Sequence, residues 1–573
     1  LLCLSVIMLI IGIMIYILFN KIQKFESIRE MMELAEKQAG DKIAFEFRNE
    51  KNKENIIKIT YKEFQNDTNY LGTALSTINM LKNHIAIIGE NSYKWITVYL
   101  TVLKTNGVFV PIDKELPYKD IVNLLKNSDS EVLFYSEKFE KYIEQFQKDL
   151  PNIKYYIGLN REEENGNILS YEKFKNLGKE KLEAGNKDYV DLKSEGTDKL
   201  RMLVYTSGTT GVAKGVMLSE HNLVSSVYYG LQVADVETKC LSVLPYHHTY
   251  EAVSGILVGI HYHVTICIND SLKNVQKNLQ LYKPDYIYLV PAFTEVFYKN
   301  IWSKVRKEGK ENGLKFLIKL SNFLRKLGID KRKQLFKSIH QAFGGNLYQL
   351  VVGGAPIRPE IGKFFNDIGI MLLNGYGITE CSPLVSVNRK NYNNDPATVG
   401  VILPCCKVEI RNKNEEGDGE IWVKGDIVMM GYYKEPEKTA KVLVDGWFNT
   451  EDYGRINEKG QLVINGRKKN VIVLNNGKNI YPEEIENYIS GIPYVQEVIV
   501  KSTKTKNGEE TSLCAEVYLN PEKTAEMNQT DLETTLKKDI NNATKELPSY
   551  KHIKQIVIRE NEFDNTTTNK IKR

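Results

Sequence analysis

The stretch best equipped for chemistry is Thr206-Ser207-Gly208-Thr209-Thr210-Gly211-Val212-Ala213-Lys214-Gly215. Three glycines, four hydroxyl residues and one lysine lie between apolar runs at 202–205 and 216–218. Glycines let backbone N–H groups turn inward onto an anion. The hydroxyls add donors, and Lys214 adds a mobile positive charge. Such a loop suits a polyphosphate. The Walker A spacing fails, because Ala213 stands where that pattern needs its second glycine. A solvated hairpin loop is the alternative reading of the same composition.

The order of residues says more. The segment from Thr206 to Gly211, followed by Lys214-Gly215, closely resembles the phosphate loop of the acyl-adenylate-forming superfamily. That superfamily includes acyl-CoA synthetases, nonribosomal-peptide adenylation domains and firefly luciferase. The resemblance implies that this loop grips the β- and γ-phosphates of ATP while a carboxylate attacks the α-phosphate. It also implies Mg²⁺ and coenzyme A as cofactors.

Other motifs follow in the family's order. Leu244-Pro245-Tyr246-His247-His248-Thr249-Tyr250-Glu251 resembles the acid-pocket motif, with His248 lining the carboxylate site. Ending on Glu251, it looks most like long-chain fatty acyl-CoA synthetases. No aspartate stands between Pro245 and Ser254, which argues against an amino acid substrate. The paired histidines lack a Cys or carboxylate cluster at metal-ligand spacing. Gly353-Gly354-Ala355-Pro356 resembles one wall of the adenine pocket. In Asn374-Gly375-Tyr376-Gly377-Ile378-Thr379-Glu380, Tyr376 offers a flat face for adenine and Glu380 a hard oxygen ligand for Mg²⁺. Thr379 can donate to the α-phosphate.

Asp452 is placed by resemblance to accept hydrogen bonds from both ribose hydroxyls. The residue before it is usually glycine; here it is Glu451. Arg467 is placed to reach the ribose and Lys469 to act as the interdomain pivot. Gly477 and Lys478 resemble the loop lining the thiol tunnel. Pro482, with acidic residues behind it, suits a helix start. Lys570, in Thr566-Thr567-Thr568-Asn569-Lys570, corresponds to the adenylation lysine, although Asn569 replaces the usual glycine. Asn tolerates left-handed geometry better than most residues.

These residues need positioning elements. At 573 residues the chain exceeds one core. Helix-like stretches at 28–39 and 61–76 interleave with short apolar runs at 84–88, 108–112, 132–135 and 155–158. That alternation predicts doubly wound α/β layers. The charged stretch 161–199 reads as a surface connection. Residues 419–433 resemble the family's small distorted β-barrel, and the remainder reads as a small α+β domain. The domains expected are a transmembrane anchor at 1–20, a large adenylate-forming domain at 21–466, and a small mobile C-terminal domain at 467–573.

Residues 1–19 are uncharged and almost wholly apolar, long enough for a bilayer's hydrocarbon core. Lys21, Lys24 and Arg29 follow and place the remainder in the cytoplasm. Seven scattered cysteines with no C-x-x-C pair fit a reducing compartment. The net charge of +5 gives no cause to expect nucleic acid. Within 303–337, however, twelve Lys/Arg stand against three Asp/Glu, with apolar residues at helical spacing. This basic insertion reads as an amphipathic helix on an anionic lipid surface, or as an exposed basic helix packed on its own domain.

The expected activity is ATP-dependent activation of a fatty acid and transfer to coenzyme A. The alternatives are transfer to an acyl carrier protein, or a catalytically retired nucleotide- or lipid-binding homologue.

Overall fold

The computed structural model describes residues 22–573 except 50–51, 53, 207–212, 390–393, 474–478, 505–509, 526, 528, 546, 565–570 and 572–573. The anchor expected at 1–20 lies outside the described residues. Among the described residues, no helix is long and apolar enough to cross a membrane.

Two mixed sheets carry the large domain. The first has eight strands, in the order Gly431–Tyr432, Lys214–Ser219, Leu200–Thr206, Val108–Ile112, His84–Ile88, Ser130–Tyr135, Tyr155–Gly158 and Ile168–Ser170. Neighbours from Leu200–Thr206 to Ile168–Ser170 run parallel, whereas Leu200–Thr206 and Lys214–Ser219 form an antiparallel hairpin. The second sheet has nine strands, with a parallel middle and antiparallel strands at both edges. The expected α/β layers are present, with antiparallel strands added at one edge of the first sheet and at both edges of the second.

The helices between the sheets share one core. Ser92 caps the helix Tyr93–Leu103 through Trp95 N, and that helix buries Trp95, Tyr99 and Leu100 completely or nearly so. Thr60 and Glu63 form a capping box at the start of Tyr61–Thr77. These helices pack between Phe109 and Met202 of one sheet and Cys240 and Tyr286 of the other. Thr206, Gly353 and Gly377 stand at or just past the C-terminal ends of parallel strands, the usual ligand position in such sheets.

The stretch 161–199 corrects the expected surface connection. It holds the strand Ile168–Ser170 and the helix Tyr171–Glu183, with Tyr171, Phe174 and Tyr189 buried. A Cβ on Gly178 would stand 1.9 Å from the carbonyl oxygen of Tyr70, so this helix rides close on Tyr61–Thr77. Its apolar residues are few and its surface is crowded with Lys and Glu, which hid the periodicity.

The barrel expectation is corrected as well. Cys406–Arg411, Gly419–Gly425, Trp447–Ile456, Leu443–Val444 and Leu462–Arg467 make a five-stranded antiparallel sheet. Gly431–Tyr432 leaves it and pairs with Lys214–Ser219 of the eight-stranded sheet. The C-terminal portion is α+β, with a three-stranded sheet, the helices Pro482–Ile489 and Gln529–Ala543, and its own core from Ile472 to Ile553.

Candidate functional site

Asp452 is the meeting point of three motifs. Opposite Ile421, the strand Trp447–Ile456 carries extra residues: Trp422 pairs with Asn449, and Glu420 with Tyr453. The bulge places Glu451 in the left-handed region at φ 59° with its side chain exposed, while Asp452 turns inward to 5% exposure. The family's glycine at this position has a backbone reason, and Glu451 adopts the same region. The Glu451 backbone N–H is held by Asn449 Oδ1 at 2.9 Å. The Arg467 pKa is lifted against the cost of burial mainly by Asp452, and that of Lys468 mainly by its hydrogen bond to Glu420, with Glu451 a minor contributor to both.

The Tyr376 hydroxyl donates to Asp452 Oδ2 at 2.5 Å, and Arg467 Nε lies 3.0 Å from Asp452 Oδ1. Arg467 also donates to the Thr450 carbonyl at 3.2 Å. Burial, with Asp452 beside it, pushes the Tyr376 phenol well above its ordinary value, so it stays a donor. A carboxylate at a strand bulge, with a phenol ring and a guanidinium from the ends of two other strands, suits a nucleoside.

Glu380 follows Tyr376 on the short helix Thr379–Cys381 and is buried, with Thr379 half-buried beside it. Tyr432 donates to Glu380 Oε1 at 2.9 Å, and the Lys214 ammonium lies 4.9 Å from the centre of the Tyr432 ring. Burial raises the Glu380 pKa, and Tyr432, Arg467 and Lys214 oppose that rise. Tyr432 was missed in the sequence, because Gly431-Tyr432 looked like part of the barrel. A buried carboxylate resisting ionisation fits a cation. Among the described residues, no three His, Cys, Asp or Glu side chains gather into a metal cage. Glu380 is the carboxylate that would hold Mg²⁺ here, a hard oxygen ligand for a hard cation.

Thr206 and Lys214 are register partners at the mouth of the hairpin. Ser207, Gly208, Thr209, Thr210 and Gly211 lie outside the described residues, as do Gly477, Lys478 and Lys570. Gly353 is buried and Gly354 takes φ 87°, while Ala355 and Pro356 are exposed. A Cβ on Gly353 would lie 3.2 Å from the Gly375 carbonyl oxygen and 3.5 Å from the Tyr250 ring. Gly377 is tighter still, 2.4 Å from the Pro383 carbonyl oxygen. Tyr250 donates to the Val351 carbonyl at 3.0 Å, tying the acid-pocket motif to the adenine wall.

His248 is half-buried, with its ring centre 4.3 Å from that of His247. His247 Nε2 stands 3.6 Å from Asp113 Oδ2. Burial lowers the His247 pKa, and Asp113 pulls it back. Glu251 is 1% exposed and lies in the first turn of a π-helical segment, Tyr250–Leu257. Ser242 donates to Glu251 Oε1 at 2.5 Å, and Tyr246 OH lies 3.1 Å from Ser242 Oγ. Burial pushes the Glu251 carboxyl up to about 8, offset only in part by Ser242 and a backbone hydrogen bond at Leu244. The sequence marked Glu251 as a family feature, but nothing in it disclosed the partner Ser242.

Lys469 is exposed between two fixed neighbours. Lys468 Nζ meets Glu420 Oε1 at 2.7 Å, and Asn470 donates to Glu483 Oε1 at 2.5 Å. The pivot motif is thus fastened to the five-stranded sheet before it and to the C-terminal helix after it.

Comparison with known proteins gives the family and the fold. Residues 32–433 match the AMP-binding enzyme family, and residues 469–573 match the AMP-binding enzyme C-terminal domain. Long-chain-fatty-acid–CoA ligase 5 of Mus musculus is 30% identical over 481 residues, covering 77% of this chain and 68% of that protein. The chloroplastic long-chain-fatty-acid–[acyl-carrier-protein] ligase AEE15 of Arabidopsis thaliana is 27% identical over 540 residues, covering 78% of this chain and 70% of that protein. The solved structure of the anthranilate CoA ligase AuaEII with anthranoyl-AMP superposes with a TM-score of 0.75 at 17% identity, covering 97% of each chain. On the strength of the match over 32–433, this chain belongs to the AMP-binding enzyme family.

Proposed function

We propose that this protein is an AMP-forming long-chain fatty acid–CoA ligase. The observation that carries the reading is the convergence of Tyr376, Asp452 and Arg467, with Glu380 and Lys214 beside Tyr432. In the first step a fatty acid carboxylate oxygen attacks the α-phosphorus of ATP, and the bond to the β-phosphate oxygen breaks. Acyl-adenylate forms and pyrophosphate leaves. Asp452 and Arg467 hold the ribose, and Tyr376 presents its ring to adenine. Lys214, Thr206 and the loop 207–211 hold the phosphates that depart, and Thr379 donates to the α-phosphate. Glu380 would hold Mg²⁺, which supplies charge neutralisation on the phosphates. Lys570 neutralises charge on the α-phosphate and the attacking carboxylate.

In the second step the thiolate of coenzyme A attacks the acyl carbonyl, and AMP leaves as the phosphate takes the electron pair. The small domain turns about Lys469 so that Lys570 withdraws and Gly477 and Lys478 reach the pantetheine arm. A boundary at 466/467 is supported by the separate cores, one ending at Leu462 and the other starting at Ile472. The uncharged run at 1–19 with Lys21, Lys24 and Arg29 behind it supports a single-pass anchor, with the catalytic domains on the cytoplasmic side against a lipid surface.

Acyl carrier protein as the acceptor is the second reading, favoured by the likeness to AEE15. Pyrophosphate release on adding ATP, Mg²⁺ and acids of increasing chain length tests the first step. Thioester yield with coenzyme A against acyl carrier protein decides the acceptor. No pyrophosphate with any fatty acid would leave the retired, binding-only homologue standing.

A further inference from the structure

The helix Glu311–Lys326 has two apolar faces, and the fold uses only one of them. Leu314 and Ser321 are buried, and Leu317 and Ile318 pack with them against the core around Phe336, Phe343 and Phe364. On the far side, Phe316 is 64% exposed, Phe323 59% and Leu327, just past the helix end, 60%. At 3.6 residues per turn these three fall within ~40° of one another and roughly opposite Leu314. An isolated exposed leucine is ordinary; three large apolar side chains aligned on one helix face are not.

The charge around the stripe selects its occupant. Lys319 and Lys326 flank the stripe along one side of the helix, with Lys315, exposed though paired to Glu311, in line with them by the same helical geometry. Glu308, Glu311 and Asp330, the three carboxylates of the block, are already engaged with Lys310, with Lys315 and Arg306, and with Arg332. Their neighbours therefore leave a surplus of cations facing solvent. An aromatic and aliphatic ridge bordered by lysines matches the boundary between acyl chains and anionic headgroups.

We propose that this face seats on an anionic lipid bilayer, with Phe316, Phe323 and Leu327 entering the acyl boundary and Lys315, Lys319 and Lys326 at the headgroups. It is a second attachment, separate from the catalytic cleft and independent of residues 1–20. A fatty acid dissolved in the same bilayer would then lie beside the enzyme that consumes it.

The test uses the full chain carrying Phe323→Trp, an exposed position that tolerates the larger ring. It is mixed with phosphatidylcholine vesicles, with or without about one-third phosphatidylserine, whose acyl chains are brominated near the headgroup. Emission in excess of the parent chain's four tryptophans reports position 323. That excess should fall at least about twofold on anionic vesicles and stay unchanged on neutral ones. Lys315→Glu, Lys319→Glu and Lys326→Glu together should restore the unquenched level. Absence of quenching on anionic vesicles, or equal quenching on both lipids, would overturn the proposal. So would a concentration-dependent blue shift without vesicles, which would mean that a second copy covers the face. Pelleting with neutral vesicles scores the anchor separately, so its failure does not imitate failure of this face.

Discussion

The Tyr376 hydroxyl and the Asp452 carboxylate, 76 residues apart in sequence, meet at 2.5 Å on Oδ2, while Arg467 Nε stands 3.0 Å from Oδ1. The carboxylate is thereby oriented, with a flat phenol face beside it. Asp452→Ala should raise the KM for ATP by about tenfold to a hundredfold, since a charge-assisted pair contributes roughly 1.5–3 kcal/mol. Tyr376→Phe keeps the ring and should cost only a few-fold. In the double variant the two effects should fall short of additivity, as expected for groups in contact. Strictly additive effects would show that the hydroxyl does nothing for the carboxylate.

Glu380→Gln keeps the shape and the contact to Tyr432 but removes the charge offered to Mg²⁺. Adenylation should drop on the order of a hundredfold, and the Mg²⁺ concentration for half-maximal rate should rise. Tyr432→Phe should leave the Mg²⁺ dependence nearly in place, because the carboxylate remains. An unchanged Mg²⁺ requirement in Glu380→Gln would assign the metal to another group.

Glu251 predicts a pH-dependent stability. Its carboxyl keeps a proton up to about 8 in the native protein, against an ordinary value of 4.5. The native state therefore binds the extra proton, and the contribution is full below the ordinary value and fades as pH rises to about 8. Glu251→Gln imitates the protonated acid and should lack this slope, which by proton linkage is on the order of a few kcal/mol between the two pKa values. Denaturant midpoints at pH 5 and pH 8 measure it. Parallel curves for the two proteins would show that Glu251 titrates normally.

Much of this was legible in the sequence. The helix-like pattern of 28–39 specified the helix Ile28–Ala39, and the apolar runs at 84–88 and 108–112 became parallel neighbours. The site motifs were legible through their resemblance to the acyl-adenylate-forming superfamily, and Tyr376, Asp452 and Arg467 do converge. Their direct contact was not readable, because it depends on the bulge at Glu451 and on pairing between distant strands. Tyr432 was hidden for a similar reason: a two-residue strand has no period, and only its partner Lys214–Ser219 gives it a place. The helix Tyr171–Glu183 was lost among its charges, although Phe174 and Gly178 mark its inner face.

The two-step account is tested most directly by separating the half-reactions in Lys570→Ala and Lys469→Pro. Lys570 should act only while the acyl-phosphate bond forms. Its alanine variant should lose adenylation by about a hundredfold or more, yet still make thioester from pre-formed acyl-adenylate and coenzyme A. Proline at 469 fixes the backbone at the exposed pivot between Lys468 and Asn470, and should spare adenylation while crippling thioester formation. Opposite profiles in the two variants are the predicted result. Equal loss of both half-reactions in both variants would contradict it, leaving one rigid site in place of two alternating arrangements.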